Sequence, residues 1–352
     1  MRTMSLSITL LLSLLAAPGF GQTGDPPDTF PIAPKAPPVQ APSEQTPLAV
    51  IPPAAAGVRT SLQPCFWRVG TRRCGQTFDT GIGCCRLTAE MCAGDGRFHR
   101  TTLQQLLGSL QPGVPICIFI HGSQVDERTC RIESAATYRW LTQSASGSPI
   151  QFIAFDWPSD THIGLLIGLD FIKLGRRAAR NGFPLAQLVQ RLPVESPVCL
   201  LGHSHGARAA VSATHLLAGG SVQGHRLQTR DNAHRIRLTL AAAAVDHDWL
   251  NPGERYDCAL GRAECVVNMK NCFDYALIAY PTRKVIGARA LGQCGFTPFD
   301  VRRLGSAVGK ISELDVNDIM GARHDWPNYY REPRIGRAVA PVVFFTNTQQ
   351  QP

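Results

Sequence analysis

Six short apolar runs punctuate the chain. They are Phe66–Thr71 (F-W-R-V-G-T), Val114–Gly122 (V-P-I-C-I-F-I-H-G), Phe152–Trp157 (F-I-A-F-D-W), the start of Val198–Ala207 (V-C-L-L-G-H-S-H-G-A), Arg235–Val245 (R-I-R-L-T-L-A-A-A-A-V) and Cys265–Lys270 (C-V-V-N-M-K). Unbroken runs of this length suit strands buried on both faces, as in a parallel sheet. Between them lie stretches of helical character: Arg131–Ser144, the apolar Thr161–Leu192, and Ala207–Leu217, which Gly219-Gly220 ends. Helix breaks are expected near Gly164, Gly168 and Asn181-Gly182-Phe183-Pro184. Strands alternating with helices predict a mostly parallel sheet with right-handed crossovers, whose chemistry gathers at the strand carboxyl ends.

The amino-terminal part follows a different pattern. Residues 1–22 have the form of a secretory signal: Arg2, then an apolar stretch from Leu6 to Ala17, then small residues. That stretch is too short for a stable transmembrane anchor. No cysteine precedes Cys65, which argues against a lipoprotein anchor. Residues 23–60 are proline-rich and aperiodic and read as a disordered linker. The domain proper spans 61–348, with a cysteine-rich extension over 61–100.

Twelve cysteines in all fit an exported protein better than a reducing cytosol. Five of them, Cys65, Cys74, Cys84, Cys85 and Cys92, lack the spacing of zinc knuckles, so disulfides are expected there. Cys117 and Cys199 fall inside predicted core strands and read as buried small hydrophobes, leaving ten cysteines for up to five bridges. A hydrophobic content of 44% in 352 residues supports a large core. The net charge of +9 rests on scattered arginines, with no basic stripe interleaved with aromatics. That pattern excludes nucleic-acid binding and leaves loose attraction to an anionic envelope surface.

Chemistry concentrates at Gly202-His203-Ser204-His205-Gly206, a G-x-S-x-G between a predicted strand and a predicted helix. In that setting the turn is a nucleophile elbow, in which Gly202 and Gly206 leave room and the serine takes a strained conformation. A serine hydroxyl needs a histidine oriented by a carboxylate. His203 and His205 diverge from Ser204 across the turn and read as packing or pocket residues. The base is expected on a loop after the last strand, which nominates His324 in R-H-D-W-P-N-Y-Y; His234 and His247 flank the wrong strand. Asp246, Asp248, Asp274 and Asp325 are all candidates for the carboxylate, although Asp325 adjoins His324 and would point elsewhere.

With these residues the chain resembles the α/β-hydrolase superfamily, and within it a bacterial branch of unknown function related to serine esterases and lipases. The resemblance runs from Phe66 to about Tyr330. It rests on His121-Gly122, Trp157-Pro158-Ser159, Gly202–Gly206, Asp274-Tyr275-Ala276-Leu277 and His324 in that order. It implies an α/β-hydrolase fold and selects Asp274 as the acid, with Asp246 as runner-up. The order Ser204, Asp274, His324 agrees. It also implies an oxyanion hole from the backbone N–H groups of Ser123 and His205, with His121, Gly122 and Trp157 shaping the pocket.

The function so implied is exported serine hydrolysis of a small or lipid-like ester, with no metal or organic cofactor. A thioesterase or a lipase is the variant reading, and Ile163–Leu174 could then form an apolar lid. The alternative is a non-catalytic hydrolase-fold protein that binds an envelope partner.

Overall fold

In the computed structural model the described residues are 64–74, 87–160, 167–228, 233–283 and 288–346. The signal, the linker and part of the cysteine-rich extension lie outside them.

Among the described residues, nine strands form one sheet. They are β1 (Pro64–Gly70), β2 (Thr88–Ala93), β3 (Phe98–Thr101), β4 (Ile116–Ile120), β5 (Gln151–Asp156), β6 (Val198–His203), β7 (Ile236–Ala241), β8 (Cys265–Lys270) and β9 (Ile311–Asp315). Their order is β3-β2-β1-β5-β4-β6-β7-β8-β9. From β1 to β9 every neighbouring pair is parallel, while β2 and β3 add an antiparallel edge. The result is the mostly parallel, helix-flanked sheet that the alternation predicts.

Both sheet faces are covered, which is why the central strands read as unbroken apolar runs. In β4, Ile116, Ile118 and Ile120 enter one core cluster, while Cys117 and Phe119 enter the other. Cys117 pairs in register with Cys199 of β6, and both are buried free thiols. Burial pushes both thiols up, Cys199 to about 12, so they behave as small hydrophobes, as expected.

Three expectations need correction. The sequence reading missed β2, β3 and β9: β3 and β9 are short and largely exposed, and β2 is buried but built of small and polar residues, so all three carry little apolar signal. The helix Ile167–Val189 runs unbroken through Asn181-Gly182-Phe183-Pro184. Tertiary packing overrides the local breakers there: a methyl group at Gly182 would lie 2.4 Å from Ser212 Oγ on the helix His205–Leu217, so the glycine lets two helices meet closely. The helix expected from Arg131 begins at Glu127, because Asp126 accepts the Thr129 N–H at 2.7 Å and caps it.

The cysteine arithmetic changes as well. Cys117, Cys130, Cys199, Cys258, Cys265, Cys272 and Cys294 are free thiols. Among the described residues Cys74 is disulfide-bonded, and at least five of the ten cysteines set aside for bridges (Cys130, Cys258, Cys265, Cys272 and Cys294) are free, which rules out the five bridges expected at most.

Candidate active site

Because β4 to β9 are parallel, their carboxyl ends share one edge of the sheet. His121-Gly122-Ser123 follows β4, Trp157 follows β5, Ser204 follows β6, Asp274 lies beyond β8 and His324 lies beyond β9. The fold therefore brings residues 120 positions apart onto one rim.

Ser204 stands between β6 and the helix His205–Leu217 with φ 53° and ψ −122°. That left-handed φ is costly for a residue with a side chain, roughly 1–3 kcal/mol. Its surroundings hold it: the Ser204 N–H donates to Ala241 O at 2.9 Å, and Ser204 O accepts from Ala207 and Ala244 at 3.1 and 3.2 Å. Both flanking glycines are steric requirements. A methyl group at Gly202 would meet Ala207 Cα at 2.5 Å, and one at Gly206 would meet Ile120 O at 2.2 Å.

His324 Nε2 lies 3.0 Å from Ser204 Oγ, and His324 Nδ1 lies 2.7 and 2.9 Å from the two oxygens of Asp274. Asp274 is fully buried, and its Oδ1 also accepts the N–H groups of Ala276 and Leu277 at 3.0 Å. Those bonds fix the carboxylate before any substrate arrives. The other carboxylates are placed elsewhere. Asp246 accepts from the Tyr280 hydroxyl at 2.7 Å, and Asp325 is exposed. His247 pairs with Asp300 at 2.7 Å, and the ring of His234 meets Ser196 O at 3.2 Å.

The two residues expected as oxyanion donors are neighbours. Ser123 Oγ lies 2.6 Å from His205 Nδ1, and His205 opens a helix whose N-terminal N–H groups favour negative charge. Gly122 is needed for that approach, since a methyl group there would lie 2.7 Å from His203 Nδ1 and 3.2 Å from Ser204 Cβ.

His121 and Trp157 do not shape an open pocket wall, as expected, because both are fully buried. They buttress the turn from behind. The Trp157 indole N–H donates to His121 O at 2.8 Å, and His121 Nε2 lies 3.0 Å from Asp156. Burial pushes the Asp156 carboxyl up, but His121, Arg72 and Arg68 outweigh it and hold it below its usual range. His121, Cys130 and Asp156 have metal-ligand spacing. Arg68 and Arg72 already occupy Asp156, however, so a cation has no charge to gain there.

Sequence reasoning missed the part played by His203. Its Nε2–H donates to the His324 carbonyl at 2.9 Å, and its ring packs on His324, Trp326 and Tyr329. Burial, with His324 beside it, pushes the ring down to about 3, so it stays neutral and ties the base loop to the elbow. A G-H-S motif hints at this only once the loop 120 residues away is known to close over it.

Glu133 carries a cost behind the same loop. It is buried on the helix Glu127–Ser144, its Oε2 meets no donor among the described residues, and burial with nearby Asp325 pushes it up to about 7. An unfolded glutamate titrates near 4.3. Between these values the folded state holds the extra proton, so this group's contribution to stability falls as pH rises through the window. Glu133→Gln removes the penalty, on the order of 3 kcal/mol above pH 8. Its melting temperature should therefore gain on the wild type between pH 5 and pH 8; a constant difference across that range would refute the assignment.

No family model matches this chain, and neither does any curated protein sequence. Among solved structures, it is similar to the catalytic core domain of acetyl xylan esterase from Trichoderma reesei, at 15% identity and TM-score 0.30, over 68% of this chain and 100% of that one. Thermogutta terrifontis esterase 2 is similar at 11% identity and TM-score 0.36, over 69% and 88% of the chains. A cutinase-like protein from Cryptococcus sp. is similar at 13% identity and TM-score 0.28, over 66% and 94%. At these values the likenesses decide neither substrate nor mechanism. The parallel sheet, the strained serine between β6 and its helix, and the order serine, acid, histidine are together those of the α/β-hydrolase fold.

Proposed function

We propose that the protein is an exported serine hydrolase that cleaves an ester or related acyl bond. The observation that carries this reading is the chain Ser204 Oγ, His324, Asp274, with every link at 3.0 Å or less. In the reaction Ser204 attacks the acyl carbon while His324 Nε2 takes its proton. Asp274 holds the imidazole in the tautomer that can accept it and stabilises the imidazolium. The N–H groups of Ser123 and His205 receive the oxyanion, each contributing roughly 3–4 kcal/mol. His324 then protonates the departing alcohol, and water resolves the acyl-enzyme by the same steps.

The rim favours an apolar ester. Phe273, Tyr275 and Ile278 are exposed on either side of Asp274, and the Tyr275 ring meets His324 edge-on at 6.2 Å. Of the lid segment Ile163–Leu174, the part before Ile167 lies outside the described residues; Leu174 at its far end is buried and belongs to the core. No described helix is long and apolar enough to cross a membrane.

The test is to treat folded protein with a fluorophosphonate and with p-nitrophenyl esters of increasing chain length. One label per chain with ester turnover is expected. Folded protein that takes no label and turns over no ester would overturn the reading in favour of a non-catalytic binding protein. Export is tested by thiol counting on protein recovered from its native compartment, where a bridge at Cys74 is expected beside free thiols at Cys117, Cys130, Cys199, Cys258, Cys265, Cys272 and Cys294. Twelve free thiols would refute export.

A further inference from the structure

His215, Asp257 and Cys258 meet far from the serine. His215 lies in the last turn of the helix His205–Leu217, eleven residues past Ser204, or about 16 Å along the axis. Asp257 and Cys258 lie on the loop that leads into the short helix Ala259–Arg262. His215 Nδ1 is 3.6 Å from Asp257 Oδ1, and Cys258 Sγ is 3.2 Å from the same oxygen; all three ligand atoms lie within 4.8 Å of one another.

We propose that these three residues form a binding site for a zinc-like divalent cation. Zinc bonds of about 2.0–2.1 Å to nitrogen and oxygen and about 2.3 Å to sulfur imply tetrahedral edges of about 3.3–3.6 Å. The two distances above lie within about 0.4 Å of those edges, and the third is at most 4.8 Å, so the three ligand atoms need to draw together only slightly to close on one ion. A ligand set of one imidazole, one carboxylate and one thiolate suits zinc and disfavours calcium or magnesium.

The histidine is already in the right tautomer. Its ring hydrogen-bonds the backbone at Ser221, and the Cys258 N–H points at Nδ1 from 3.3 Å, which marks Nδ1 as the nitrogen with the free lone pair. A backbone partner on the second ring nitrogen is the usual way in which metal-binding histidines are oriented. The metal would replace the long N–H contact at Nδ1.

The Cys258 S–H donates to Asp257 Oδ1, so its proton sits between two of the ligand atoms. A divalent ion would take that proton's place, forming the metal–sulfur bond and releasing one proton to solvent. Arg226, the cation nearby, turns its guanidinium to Gly219 O at 3.2 Å. The Asp257 side chain is 36% exposed, which leaves an approach for the ion and for a water as fourth ligand. Occupied, the site would clamp the end of the elbow helix to the loop below it.

The test uses reduced, chelator-treated full-length protein, titrated calorimetrically with Zn²⁺ and spectroscopically with Co²⁺. Expected are one equivalent of Zn²⁺, release of about one proton, and a thiolate-to-cobalt charge-transfer band with tetrahedral d–d absorption. Cys258→Ser should remove the charge-transfer band, and Asp257→Asn should weaken binding at least about 10-fold, since even a group that only supports a metal ligand is worth that much. Because Asp257 is part-exposed, its variant keeps the test decisive if the Cys258 variant folds poorly. Fluorophosphonate labelling of Ser204 should be unchanged in both variants, so this result stands apart from the hydrolase reading. Failure of the wild type to take up one equivalent, or wild-type affinity in both variants, would overturn the proposal.

Discussion

Ser204→Ala is expected to lower the turnover of p-nitrophenyl acetate by roughly 10⁴- to 10⁶-fold and to abolish fluorophosphonate labelling, with little change in stability. The loss is large because in the proposed reaction the hydroxyl forms the acyl bond, and His324 without it can only assist water. Stability should hold because Ser204 Oγ is not what maintains the elbow. The turn is fixed by backbone bonds from Ser204 to Ala207, Ala241 and Ala244, and alanine keeps all of them. Alanine also keeps a Cβ at φ 53°, so the backbone strain is neither relieved nor increased. Kinetics and thermal melting on the same preparation decide the matter. An alanine variant that is folded and retains more than a hundredth of wild-type turnover would place the nucleophile elsewhere.

The second large effect is expected at Asp274. Asp274→Asn should lower kcat by roughly 10⁴ while leaving KM and the fold nearly unchanged. Asparagine retains an Oδ1 that can still accept from Ala276 and Leu277, so the start of the helix Tyr275–Ile278 survives. What changes is the atom facing His324. An amide N–H₂ turned towards Nδ1 forces the other tautomer, and the proton on Nε2 then blocks acceptance from Ser204. Asp246→Asn makes the comparison, because its Oδ1 can still accept the Tyr280 hydroxyl, and its turnover is expected to stay within a few-fold of wild type. A nearly normal Asp274→Asn enzyme beside an inactive Asp246→Asn one would reverse the assignment.

Much of this site was legible in the chain because its signals are local. An elbow needs glycines two residues either side of the serine, an apolar strand before it and a helix after it. All of these lie within twenty residues, Val198–Leu217. The buried parallel strands were legible for a similar reason: burial on both faces demands continuous apolar runs, and β4, β5, β6 and β8 have them. His324 could be nominated from its place in the order of the chain.

The choice among carboxylates is of another kind. Asp246, Asp274 and Asp325 are equivalent as letters. Tertiary structure separates them, because only the paths of β7, β8 and β9 decide which carboxylate meets the imidazole and which faces a tyrosine or solvent. The same holds for His203, whose partner is a backbone carbonyl 121 residues away. It holds also for Trp157 and His121, which the resemblance set on a pocket wall and the sheet buries behind the turn.

Cysteine pairing and the unbroken helix through Pro184 show the limit most plainly. A thiol's fate depends on which other sulfur the fold brings near, and a helix breaker yields when close packing against a neighbouring helix outweighs its local cost. By itself, the sequence determined the strand–helix alternation and the elbow with Ser204 at its apex, since each depends on residues close along the chain. The resemblance pointed to Asp274, but only the tertiary structure sets Asp274 against His324, ties the base loop to His203 and keeps the thiols free, because each depends on distances between segments that are remote in sequence.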